Sequence, residues 1–397
     1  MENLKITFDS QHNRRLLEST EVVVHCHHYN CQLQSCIESS QFIDGPRLLK
    51  DVAKDVFGKE LEHYISKNKL ELDSAEKKWD LARKIYKTHG FGTFDWQNLE
   101  EGKINSCSSH FAEGWKAKFG VSNQARCSLT CGFLERAYEL ITSQKVQISE
   151  TKCMAMGNDE CVFEITSSDE TQIVHETNKD INFTPFLNDP DIINSSNVNE
   201  KAIIEAIASI PVYGDEQGLI PMFGIYATNV PADYYNQISY LYELEMAKEG
   251  KDTEESARSL LVFGGEVCGL HTFHGIMASQ EWESLVSPML KNREDSIFSL
   301  IAITNAFGWG NWAVTELQPM KKLVLRSYNG YEALGYRKMF GKSEVPRCYM
   351  LTGVSAGLME LIYSSGTLED KFGKYHSWES KCIAKGDPYC EFVVEKF

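Results

Sequence analysis

Apolar residues recur with a helical period over residues 46–66 and 76–88, and again over 201–210 (KAIIEAIASI). Pro231 suits a first helical position, so a long helix is expected from there to Glu249. Residues 281–290, 295–306, 331–340 and 353–363 carry the same period. Strands are predicted within 313–327, interrupted at Pro319, and at 374–381 and 390–394 around a Gly-Asp-Pro turn. Val22, Val23 and Val24 suit a strand or a helix start, whereas 211–230 shows no clear period. Residues 167–200 are rich in Asp, Asn, Ser and Thr and read as a solvated linker, because they bury too little apolar surface to offset ordering. No apolar run nears the roughly 18 residues of a membrane span; the nearest is 297–304. Helices followed by an antiparallel hairpin describe an α+β domain.

The pattern occurs twice. Residues 150–163 and 379–392 both read E-x2-C-x3-G-x3-C-x-F, and 126–141 aligns without a gap to 347–362, sharing Gly132/Gly353 and Glu139/Glu360. Phe119-Gly120 and Phe340-Gly341 precede these blocks at equal spacing, and the aromatic run 91–96 mirrors 307–312. A weaker match pairs His27-His28-Tyr29 with His271-Thr272-Phe273. The expected organisation is two copies of one α+β domain, at 1–166 and 256–397. A polar linker (167–200) and a helical insert or bridge (201–255) without counterpart in the first copy separate them.

Composition narrows the classes. Forty Lys+Arg against 56 Asp+Glu give the 397-residue chain a net charge of −16. That argues against non-specific nucleic-acid binding and against anionic lipid surfaces, both of which need surplus cations. The start is charged and polar without an apolar core of a leader, so a cytoplasmic protein is expected. There, twelve cysteines read as metal ligands or small buried apolar residues more readily than as disulfides.

The repeated block suggests which. Glu379 and Cys382 lie three apart on a predicted strand and converge only through a twist or bulge; the hairpin then returns Cys390 beside Cys382. Adding Cys348 at a helix start completes three thiolates and a carboxylate, a set that tetrahedral Zn²⁺ accepts. The equivalent set in the first copy is Cys127, Glu150, Cys153 and Cys161. One zinc per domain is expected. A closed shell leaves no position for water, which makes such an ion structural. The competing reading is that these cysteines are plain core and the glutamates exposed.

Residues 346–357, 379–392 and 327–333 together resemble the 4-vinyl reductase domain, which also occurs in the effector-sensing region of phenol- and xylene-responsive activators. The resemblance covers about 300–397 and 90–165. It implies an α+β ligand-binding fold shared with trafficking-complex subunits and nitric-oxide-sensing haem domains. It also implies a structural zinc held by one Cys and then Glu, Cys, Cys, beside an internal pocket for a small hydrophobic ligand. The chain departs from the activators in having no G-x4-G-K-[ST] motif, and in having Ser327 and Ser106 where the sensors carry Trp.

Other residues admit several readings. His25, Cys26, His27, His28 and Cys31 form a dense set of soft ligands whose spacing fits no common zinc pattern. They are open to a second metal, to lining of a ligand pocket together with His271, or to an ordinary buried stretch. Trp96, Trp309 and Trp312 suit either cavity wall or core. No G-x-S-x-G or G-x-G-x-x-G context appears. The expectation is a zinc-containing binding or sensor protein for a small hydrophobic, aromatic or tetrapyrrole-like ligand. The alternative is an enzyme or enzyme-accessory protein using the histidine–cysteine stretch, and 201–255 is a candidate face for a homodimer or a protein partner.

Overall fold

The computed structural model describes residues 4–169, 183–186 and 188–397; residues 170–182 and 187 of the expected linker lie outside them. The chain begins with β1 (Ile6–Asp9), β2 (Arg14–Leu17) and β3 (Thr20–Cys26), then helices α1 (His27–Glu38), α2 (Gly45–Lys67) and α3 (Ala75–Thr88). Next come β4 (Gly92–Asp95), β5 (Lys103–Ser109), α4 (His110–Phe119), α5 (Ser128–Thr142), β6 (Val146–Lys152) and β7 (Cys161–Ser167). After α6 (Glu200–Ser209) follow β8 (Ile220–Met222), β9 (Ile225–Pro231), α7 (Ala232–Lys248), α8 (Lys251–Met277), α9 (Gln280–Leu285) and α10 (Glu294–Ala306). The chain ends with β10 (Trp312–Gln318), β11 (Lys322–Ser327), α11 (Tyr331–Phe340), α12 (Tyr349–Tyr363), α13 (Leu368–Lys371), β12 (Tyr375–Lys381) and β13 (Cys390–Lys396).

This is an α+β arrangement with antiparallel sheets. Two four-stranded sheets have the orders β4-β5-β7-β6 and β10-β11-β13-β12, and a third, β1-β2-β3-β9-β8, joins strands from distant parts of the chain. The join is β3 against β9, from Val22 opposite Pro231 to Cys26 opposite Ala227. Residues 211–230, without a period in the sequence, therefore hold β8 and most of β9. Along β9 nearly every residue is buried, and a strand covered on both faces has no reason to alternate apolar and polar side chains.

The stretch 201–255 supplies β8, β9, α7 and the start of α8. The order β9-α7-α8 repeats β3-α1-α2, and both runs lead into a helix, a hairpin, two helices and a second hairpin. Tyr235-Asn236 near the start of α7 then corresponds to Tyr29-Asn30 near the start of α1. The weaker match fails: His27 opens α1 and His271 lies in the last third of α8.

Helix α8 is long and apolar enough to span a membrane by length and composition, yet most of its apolar part is buried in the fold. It crosses α12 at close range. A Cβ at Gly353 would press into the Val262 carbonyl oxygen, and one at Gly357 would lie 2.7 Å from the Glu266 carbonyl oxygen. In α5, a Cβ at Gly132 would collide with the Lys50 carbonyl of α2. The glycine shared by both repeats is thus the contact point of a helix pair. The apolar run 297–304 lies in α10, every residue of which except Glu294 is buried.

Candidate metal centres

Each repeat brings its four expected ligands together. Cys127 and Cys348 cap the N-termini of α5 and α12 without spending their sulfur on the cap. Glu150 and Glu379 lie near the ends of β6 and β12, where the ladder slips between Glu150 and Lys152 and between Glu379 and Lys381. This bulge turns the following residues, so that Cys153 and Cys382 face the same point as the glutamates. A short turn follows, closed by Gly157 at φ 90° and Gly386 at φ 98°, in the left-handed region that glycine enters without a Cβ clash. Cys161 and Cys390 then open the returning strands β7 and β13.

Within each set the ligand atoms all lie within 4.8 Å of one another. The Cys127 and Cys161 sulfurs are 3.9 Å apart, and those of Cys348 and Cys390 3.5 Å. A tetrahedron with Zn–S bonds of about 2.3 Å has edges of about 3.8 Å, so these spacings suit a shared ion. The backbone fixes the rest. Amides of Cys127 and Cys348 donate to Oε2 of Glu150 and Glu379, both at 2.9 Å. The Oε1 atoms of the same carboxylates are buried and have no hydrogen-bond partner. Amides of Met154 and Ile383 donate to the Cys161 and Cys390 sulfurs at 3.4 Å, and Asn158 and Asp387 accept from the amides of Cys153 and Cys382.

Electrostatics favours a cation at both points. Burial, followed by the Cys153 thiol, pushes Glu150 up to about 8, and burial holds Glu379 well above the usual carboxylate range. Hydrogen bonds from Cys127 and Cys161 lower Cys153 to about 2. Burial opposes ionisation of Cys382, yet Cys348 and Cys390 together bring it down to about 3. Anionic groups crowded with so little solvent are relieved by a divalent ion, which replaces several protons at once. The donor set fits a metal, and its closed shape gives a structural role.

The other expected site residues divide into separate places. His25 is buried against Tyr29, Tyr235 and Trp309, stacking on Trp309 with centroids 4.9 Å apart, and burial lowers its pKa far below that of free histidine. Trp309 donates to the Val24 carbonyl at 2.9 Å. His27, His28 and His271 gather where α1 meets α8, with ring centroids 3.9 Å apart for the first pair and 5.3 Å for His28 and His271. Among the described residues they join no group of three or more mutually close metal donors. Cys26 instead meets the Thr272 hydroxyl at 2.6 Å, and Cys31 is core. Trp96 packs on Trp79 and Trp312 on Phe392, each on its own sheet.

Beside each centre lies a cavity. One of about 490 Å³ is bordered by Lys50, Lys54, Cys127, Glu135 and Glu150. The other, of about 530 Å³, is bordered by Phe263, Glu266, Cys348, Phe372, Trp378 and Glu379. In the first, Lys54 pairs with Glu139 at 2.6 Å. In the second, Glu266 faces Glu360, and burial followed by that neighbour raises Glu266 to about 8. The repeat exposes Glu139 and Glu360 in the sequence, but their partners on α2 and α8 lie outside the aligned blocks.

Residues 116–167 match the family model of the 4-vinyl reductase (4VR) domain. That segment runs from α4 through β7 and contains the whole first cysteine–glutamate set. No curated protein matches the chain. A solved structure described as the crystal structure of the phenol-responsive sensory domain of the transcription activator PoxR with phenol is 14% identical, at a TM-score of 0.37. The alignment covers 51% of this chain and 92% of that one.

Proposed function

We propose that the chain is a tandem 4VR-type binding or sensor module with two structural zinc ions and a small hydrophobic ligand. The observation that carries the metal is the buried, unpartnered Oε1 of Glu150 and of Glu379, each set among three thiols in the same arrangement. Leaving such an oxygen unsatisfied costs on the order of 1–3 kcal/mol, which a bound cation removes. Cys127, Glu150, Cys153 and Cys161 hold one ion, and Cys348, Glu379, Cys382 and Cys390 the other. Zinc pins each hairpin to its neighbouring helix and supplies no catalytic step.

The ligand reading rests on the 530 Å³ cavity, whose wall includes Phe263, Tyr349, Phe372 and Trp378. Cys348 and Glu379 border the same space, so an occupant would touch the element that the metal fixes. Native mass spectrometry of the purified chain tests the proposal: two zinc ions per chain, with a thermal shift on adding phenol or another small aromatic, is expected. A chain with no zinc and no shift with any apolar compound overturns it.

A further inference from the structure

Arg15 sits in the middle of β2, opposite Phe8 of β1 and Val22 of β3, and is 3% exposed. Its Nε and Nη1 atoms are buried and make no hydrogen bond. The other two buried arginines differ: Arg14 is paired with Glu21, and Arg126 with Glu38. The chain holds 16 more acidic than basic residues, so a counter-charge was available, yet no carboxylate among the described residues pairs with Arg15. Burial lowers its pKa to about 10, which leaves it cationic at neutral pH. An unpaired buried charge costs several kcal/mol unless something else compensates it.

A cavity of about 170 Å³ lies against this guanidinium, between strand β1 and the segment 208–213 that follows α6. Its walls are mainly apolar, including Ile6, Phe8, Ile210, Pro211 and Val212. At its edge stands Tyr213, 36% exposed, whose hydroxyl accepts the Ile6 amide at 2.9 Å and so keeps its own proton free to donate. An apolar cavity of about 150 Å³ holds a benzene-sized molecule. The site therefore presents one buried cation, one hydroxyl donor and an apolar chamber.

We propose that this cavity binds a small organic monocarboxylic acid, with its carboxylate on Arg15 and Tyr213 and its apolar part against Ile6, Phe8 and Val212. The guanidinium supplies charge-assisted hydrogen bonds of the kind carboxylates accept in pairs. Inorganic phosphate satisfies the cation but leaves the apolar walls unmatched, and an uncharged aromatic alcohol does the reverse.

The test is calorimetric titration and thermal melting of the full chain with sodium butyrate, sodium benzoate, inorganic phosphate and benzyl alcohol at constant ionic strength. At least one of the two carboxylates is expected to bind and raise the melting temperature. Arg15→Met should weaken that binding at least tenfold, while leaving the unliganded protein equally or more stable and its zinc content unchanged. Ala208→Phe, which fills the chamber and keeps Arg15, should abolish binding too, and serves if Arg15→Met does not fold. The proposal is overturned if neither carboxylate binds, if both variants bind as tightly as the parent, or if phosphate or benzyl alcohol binds as tightly as the better carboxylate.

Discussion

Cys127 and Cys348 tie each helix start to its hairpin. On the two-zinc proposal, Cys127→Ser should lower the metal content from two ions per chain to one, read by native mass spectrometry, and leave the second centre filled. These ligands were legible because their spacing recurs, and the bulge needed to bring Glu379 onto the same point as Cys382 is present. The histidines were not, because a sequence cannot tell a donor from a ring enclosed by aromatics. His110 illustrates the difference. The Asn30 side-chain amide reaches its Nε2 at 2.9 Å, and Asn30 is held by Tyr235, whose hydroxyl donates to Oδ1 at 2.6 Å. Nε2 is then an acceptor, and the ring is neutral. Burial brings His110 down to about 3 and His27 to about 4, both below the ordinary value of 6.5. Between pH 6.5 and these values the unfolded chain binds protons that the folded chain does not, so stability falls on acidification. Each fully buried histidine of this kind contributes about 1.4 kcal/mol per pH unit in that window. Denaturant titrations between pH 7 and 5 should show this slope, and His110→Asn should reduce it by about one proton's worth.

Helix pairs, not single helices, set the tolerances of this fold. Gly353 and Gly132 let α12 and α5 approach α8 and α2 until backbone meets backbone. Gly353→Ala should cost about 1–3 kcal/mol, the usual range for overpacking, and chemical denaturation checks it. The same change at Gly341, which ends α11 with φ 86°, acts through the backbone alone, so about 1 kcal/mol is expected there. Most helices were legible: α11 spans the residues expected from its period, and α2, α3, α7 and α10 differ from expectation by a residue or so. Strands β8 and β9 were not, since burial on both faces erases the alternation that marks a strand. The same erasure hid the likeness between β9-α7-α8 and β3-α1-α2, and made 201–255 look like an addition.

The two repeats are joined through backbone as well as side chains. Beyond the β3–β9 ladder, the Val24 amide donates to the Phe307 carbonyl at 2.9 Å, and Arg14 reaches the Asn329 carbonyl. Residues 1–169 expressed alone would expose the β3 edge, with its buried valines, to solvent and to other chains. Such a fragment should aggregate, whereas co-expression with 183–397 should recover a soluble pair; size-exclusion chromatography distinguishes the outcomes. The strand order also carries a consequence for synthesis. Roughly 200 residues separate β3 from the partner that covers it, and a ribosome adding about 5–20 residues per second needs about 10–40 seconds to make them. During that interval the nascent chain carries an open β-edge outside the exit tunnel, where a holding chaperone would find its substrate.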